Sequence, residues 1–281
     1  MTHDPARPTF DALIKLPDAA IGLAQAALLI AEAFHQGLDI GHYLQQLDQH
    51  TDRLQRRLLG SESVAEKQQA LNRYLFEDQG FARTPPDFQD PNSSFLNSVL
   101  DSGRGLPILL SLVYIEIGRR IGIPLEGVSF PGHFLVKYQH LDDEIILDPF
   151  SRGIRLNERD LLHRLEQLTQ KPLEGKPDLT RFLVAADKRS ILIRILRNLK
   201  GLYLNKQQYD GALIAIDRIL AISPNSAADI RDRGQCFEHL ECSRAAAMDY
   251  QRYLELATEA HDRHQIHQRH QEMKKRAALL N

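Results

Sequence analysis

Residues 103–153 read GRGLPILLSLVYIEIGRRIGIPLEGVSFPGHFLVKYQHLDDEIILDPFSRG, and this stretch decides the fold. Gly103, Arg104 and Gly105 form a tight link. Pro107 then suits the first turn of a helix, where its missing N–H is no loss. The segment ILLSLVYIEIGRRI is apolar on nearly every face as far as Glu116 and Arg119, as a covered central helix would be. Gly122 and Pro124 end it. HFLVKYQ then alternates, with Phe134, Val136 and Tyr138 on one face and His133, Leu135 and Lys137 on the other. Residues 140–144 make a polar turn, and EIILDPF is the partner strand. Two short antiparallel strands on one buried helix predict an α+β fold rather than a doubly wound sheet.

The flanks read as helical. On the N-terminal side Asp18 is placed to cap AAIGLAQAALLIAEAF, and Asp39 or Gly41 opens a helix whose stripe is Leu44, Leu47, Leu54 and Leu58. Ser61 or Ser63 caps the next, with Glu66 in its first turn. GFARTPPDFQDPNSS is a loop, and Asn92 or Ser93 caps SFLNSVLDS. On the C-terminal side Asn157 caps ERDLLHRLEQLTQ, and KPLEGKPD at 171–178 is a linker. Helices then resume with an internal repeat. Tyr203, Ala212, Ile216 and Ile219, carried forward 34 residues, land on Phe237, Ala246, Tyr250 and Tyr253, while Gly234 stands where the first unit has Lys200. Paired helices with a small residue at the crossing and Pro224 after the second follow the spacing logic of tetratricopeptide repeats.

Composition narrows the function classes. Of 281 residues 43% are hydrophobic and 26% charged, and 35 basic against 37 acidic residues leave a net charge of -2. Bulk electrostatics therefore do not favour nucleic acid. Cys236 and Cys242 cannot build a disulfide framework, so a reducing compartment is expected. The N-terminus lacks a basic region followed by an apolar core, and no run approaches the ~18 apolar residues of a membrane helix. A cytoplasmic protein without membrane or nucleic-acid partners is expected. His261, His264, His267 and His270 string along one drifting helical face with no apolar surround, so neither a metal nor a cofactor is expected.

The chemistry-bearing residues lie in the opening stretch. Acyl transfer needs a nucleophile at a helix start, a histidine within reach and a carboxylate to orient it. His133 opens the first strand and Asp148 closes the second, so antiparallel pairing sets them side by side facing the start of the central helix. The same pair can simply pin two strands, as a satisfied buried hydrogen bond. Arg104, Arg152 and Arg155 flank this edge as candidate anion-binding residues, or as braces for glycine-rich turns.

The helix ending RRIGIPLEGV, the Gly-His-Phe-Leu-Val strand and the Ile-Leu-Asp-Pro strand end resemble the transglutaminase-like, papain-type core. The resemblance maps the family's histidine onto His133 and its aspartate onto Asp148. The cysteine position falls on Pro107 or Ile108, neither of which can attack, and the nearest hydroxyl is Ser111, one turn into the helix. The runs at 92–100, 104–111 and 130–136 are similar to those of bacterial proteins that follow such a core with C-terminal tetratricopeptide repeats, a family named after a regulator of invasion genes.

That resemblance implies an α+β, helix-rich core with a small antiparallel sheet over residues 1–175 and all-α repeats over 176–260; the histidine-bearing stretch 261–281 reads as a polar helix or tail. It implies a non-catalytic protein with a regulatory or scaffold role that binds a protein or peptide through its repeats. The alternative is an amide or ester hydrolase or acyltransferase using His133 and Asp148 with Ser111 or an activated water.

Overall fold

A computed structural model of the chain describes residues 9–82, 84–141, 143–170 and 178–279; Asp142 and all but the last residue of the expected linker at 171–178 lie outside the described residues. The chain divides into two compact units, Met1–Ile195 and Leu196–Asn281.

The first unit opens with α1 (Phe10–Ile14), capped by Thr9, and α2 (Leu23–Phe34), whose residues 26–31 are all buried. Asp18 does not cap α2, which starts after Gly22. Its carboxylate instead accepts from the backbone N–H groups of Lys188 and Arg189, at 3.1 and 3.2 Å. It thus serves donors at the start of a distant helix, a pairing no local pattern encodes. α3 (Ile40–Gln55) is capped by Asp39, and α4 (Val64–Asn72) begins with a capping box between Ser63 and Glu66. α4 runs on into a π-turn at Arg73–Asp78. In the loop that follows, Asp90 caps a short turn at Pro91–Ser94, so neither Asn92 nor Ser93 caps α5 (Leu96–Ser102).

α6 (Pro107–Arg120) is the covered central helix, with Pro107 in its first turn and Ile108–Ile115 buried without a break. Gly118 lets Leu125 lie against it: a Cβ there would meet Leu125 Cδ1 at 2.2 Å. The partner of Glu116 is Arg120, one turn on, at 2.6 Å, while Arg119 donates to the Leu125 carbonyl.

The sheet has four strands rather than two: β1 (Glu126–Val128), β2 (Leu135–His140), β3 (Asp143–Asp148) and β4 (Ile154–Leu156), in the order β1-β2-β3-β4 and antiparallel throughout. β1 and β4 are three residues each, too short for an alternation to show. β2 starts at Leu135, so His133 lies in the turn before the strand and does not open it. One face of the sheet packs on α7 (Glu158–Thr169) through Leu135, Ile146, Leu156, Leu161 and Leu165. α8 (Lys188–Asn205) closes this unit and runs across the division into the next.

The second unit is all helix: the end of α8, then α9 (Tyr209–Ile222), α10 (Ala227–His239), α11 (Ser243–Leu256) and α12 (Arg263–Leu279). The repeat register is the core of the unit. Ala212, Ile216, Ala246 and Tyr250 are wholly buried and Tyr253 nearly so; Tyr203 and Phe237 are half-buried. A Cβ on Gly234 would lie 2.9 Å from the Tyr250 ring, which explains the small residue there. The first repeat solves the same close approach from the other helix: a Cβ on Gly211 would lie 2.5 Å from the Tyr203 ring. Lys200, 34 residues before Gly234, bonds Asp229 and Asp232, each at 2.7 Å.

Among the described residues no single helix is long and apolar enough to cross a membrane.

Candidate functional site

Asp148 is the last residue of β3 and has no solvent-exposed surface. Five donors converge on its carboxylate. Oδ1 lies 2.9 Å from His133 Nε2 and accepts from the backbone N–H groups of Phe150 and Ser151 at 3.0 and 3.2 Å. Oδ2 accepts from the Ser151 hydroxyl and from Arg164 Nη2, both at 2.6 Å. The two backbone bonds cap the turn Pro149–Ser151, so the residue before Pro149 is an acid for local reasons as well as distant ones. Burial alone would raise the carboxyl's pKa, but the bond and charge of His133, the Ser151 hydroxyl and the Arg164 guanidinium outweigh it and hold the group down at about 2.

His133 is set by the turn before β2, where Gly132 adopts φ +67°. From α8, Arg194 clamps this turn. It donates to the His133 carbonyl at 2.6 Å and to the Phe130 carbonyl at 3.2 Å, with its guanidinium over the Phe134 ring. The His133 ring meets the edge of Phe150 at 5.7 Å between centroids, and its side chain keeps 14% of its surface exposed. With an ionised carboxylate opposite, Nε2 is the protonated nitrogen, which leaves Nδ1 as the free base of the neutral ring.

The structure brings His133 and Asp148 together, but through the turn before β2: the strand register sets Leu147 opposite Val136, and His133 lies outside the ladder. Ser111 is wholly buried in α6 and its hydroxyl donates to the Phe134 carbonyl at 3.3 Å. A nucleophile must meet a substrate at its oxygen, and this oxygen has no exposed surface; the hydroxyl acts as a tie between α6 and the sheet. Pro107 occupies the helix start and Ile108 is 2% exposed.

The three arginines flanking the edge do not converge. Arg104 is exposed on the link before α6, Arg152 takes φ +60° and donates to the Phe76 carbonyl, and Arg155 lies exposed on β4. Arg155 lines a separate cavity of ≈ 520 Å³, floored by Ile146, Leu156 and Leu161.

The arginine that does reach the pair, Arg164, was not singled out from the sequence. The signal was present: Arg164 sits between Leu161 and Leu165, both buried, on the core-facing stripe of α7. A charged residue on such a stripe needs a buried partner.

Among the described residues no three histidine, cysteine, aspartate or glutamate side chains come together to hold a metal ion. Cys236 is buried and Cys242 exposed, and both belong to the second unit.

Comparison with known proteins agrees with this architecture. A transglutaminase-like superfamily model matches residues 41–197, and a tetratricopeptide repeat model matches residues 199–271. A UPF0162 protein of Xylella fastidiosa (strain 9a5c) is 36% identical over 255 residues, 91% of each chain. One of Pseudomonas aeruginosa is 33% identical over 269 residues, 95% of each chain. Protein SirB1 of Salmonella typhimurium is 26% identical over 205 residues, 72% of this chain and 73% of its own. With a buried helix leading into an antiparallel sheet beside a histidine–aspartate pair, and with helical repeats later in the sequence, the chain belongs to the transglutaminase-like superfamily and to the UPF0162 proteins.

Proposed function

We propose that this protein is a non-catalytic, regulatory scaffold of the cytoplasm, whose transglutaminase-like core serves as a rigid body and whose helical repeats bind another protein or peptide. The observation that carries the reading is the commitment of Asp148. In a nucleophilic triad the carboxylate stabilises the imidazolium that forms as the nucleophile gives up its proton. Here the Arg164 guanidinium already meets that charge at 2.6 Å. The remaining lone pairs serve His133, Ser151 and the backbone. With proline at the helix start, the pair is a brace that ties the turn before β2, the end of β3 and α7. The repeat unit supplies paired helices whose outer faces are open to a partner.

The test has two arms. The full-length protein is assayed against activated esters and peptide amides beside His133→Ala and Asp148→Asn. Turnover equal in all three is expected. A rate that drops by about 100-fold in His133→Ala with the fold intact would mark a general base and overturn the reading. In cells, cross-linking with mass spectrometry is expected to join a stoichiometric protein partner to residues 196–279. Cross-links to the core alone would remove the repeats as the scaffold.

A further inference from the structure

α11 and α12 lie against each other and leave a groove of ≈ 310 Å³ on their outer side. From α11 it is lined by Arg244, Ala247 and Met248, and from α12 by His270, Lys274 and Ala277. The spacings of three and four place each set on one helical face. The floor is small and apolar, and Met248 remains 67% exposed beside it. Arg244 and Lys274 form the rims; among the described residues no carboxylate lines the groove, and the buried Nδ1 of His270 has no hydrogen-bond partner. α12 as a whole carries Arg263, Arg269, Lys274, Lys275 and Arg276 against the single acid Glu272.

One repeat earlier four of the six corresponding positions are apolar, while Arg244 and Ala277 stand 34 residues after Asp210 and Ser243. Ala247, His270 and Lys274 stand 34 residues after Leu213, Cys236 and Leu240. Cys236 is wholly buried there in a cluster with Ala212 and Ile216, and Leu213 packs on it. In α11 and α12 the seam has become a small floor between cationic rims. This face keeps its floor open and a methionine exposed.

We propose that the groove between α11 and α12 binds an acidic amphipathic helix of a partner protein. Its apolar side chains enter the alanine floor beside Met248, and its carboxylates meet Arg244 and Lys274. Charge complementarity selects this occupant: cations without an acid among the lining residues favour carboxylates, and two parallel ridges of i, i+3, i+4 spacing fit a helix. Methionine adapts its shape to varied apolar partners. The inference rests on the scaffold reading and names the surface and the partner class.

The probe is a fluorescein-labelled helical peptide with leucines at i, i+3, i+4 and i+7 flanked by glutamates, titrated with the full-length protein and followed by anisotropy. Two control peptides scatter the same leucines or replace glutamate by lysine. Saturable binding is expected, about tenfold or more weaker for both controls, and weakened by salt. Met248→Glu and Lys274→Glu, both at exposed positions, are each expected to lower the affinity about tenfold with an unchanged thermal melt. Equal binding of the three peptides, or indifference to both variants, overturns the proposal. So does a concentration-dependent dimer abolished by Met248→Glu, since the occupant would then be a second copy. So does an oligonucleotide that binds more tightly than the peptide and is lost in Lys274→Glu. Should the groove fail while cellular cross-links still fall elsewhere on 196–279, the scaffold reading stands without it.

Discussion

His133 Nε2 and Asp148 Oδ1 lie 2.9 Å apart, and the carboxylate that orients the imidazole is held by its other oxygen to Arg164. The bonds tie the turn before β2 and the end of β3 to α7, so removal of the pair should be felt in stability. Asp148→Asn keeps the shape but leaves half-buried Arg164 against a neutral group with one acceptor too few. Urea unfolding should show a loss of about 3–5 kcal/mol. His133→Ala removes one bond at a partly exposed site and should cost about 1 kcal/mol. Equal effects of the two substitutions would contradict the central place given to Asp148.

The same carboxylate predicts an acid limb of stability. Its pKa is depressed from the usual 3.8 to about 2, with burial overcome by His133, Ser151 and Arg164. Stability from a depressed carboxyl is complete above the unfolded value and lost as pH falls through the folded one. The urea midpoint of the native protein should therefore fall between about pH 4 and pH 2, and more steeply than that of Asp148→Asn, which has no carboxyl to protonate there.

Two helical glycines should respond to alanine with opposite signs. Nothing lies within 4 Å of a Cβ at Gly201, so Gly201→Ala should gain about 1 kcal/mol from helix propensity alone. At Gly234 the new Cβ would lie 2.9 Å from the wholly buried Tyr250 ring. That ring cannot retreat, and the overpacking, about 1–3 kcal/mol, outweighs the propensity gain. Thermal melts of the two variants check both signs.

The thiols should separate by reactivity. Burial, with a smaller contribution from Asp232, pushes the Cys236 thiol up to about 11, and the residue has no exposed surface. Cys242 is exposed. Alkylation of the native protein at neutral pH should modify Cys242 alone, with Cys236 reacting only after denaturation; mass spectrometry of the digested protein reads the two sites.

Lys200 departs from the repeat pattern for an electrostatic reason. Asp229 is buried and accepts from Lys200, Arg197 and Ser226, which together overcome burial and hold its pKa below the usual range. Lys200→Met should destabilise by about 1–3 kcal/mol, less than a full loss of partners because Arg197 and Ser226 remain. Adding Asp229→Asn should recover part of that cost, as measured by a double-mutant cycle.

Several features were legible in the sequence because they are local. Pro107 at a helix start, the cap at Asn157, and one of the two candidate residues at each of the helix starts near 39 and 63 all follow from short-range rules, whereas His133 meets Asp148 from the turn before β2. Asp18 was misread for the complementary reason. Its cap belongs to a helix about 170 positions away, and a carboxylate near a helical segment carries no mark of which helix it serves. The short strands β1 and β4 were missed because three residues cannot display an alternation.

Periodicity, caps and turn residues were sufficient for the buried helix, the strand pair and the 34-residue register of the repeats, since each is encoded by neighbours within a few turns of chain. Tertiary structure alone decided what Asp148 is bonded to, that Ser111 is sealed, and that Gly211 rather than the position of Lys200 gives the first repeat its close crossing. Those facts depend on which buried surfaces meet and on how a buried charge finds its partners, and these are long-range matters of packing and desolvation that no local pattern records.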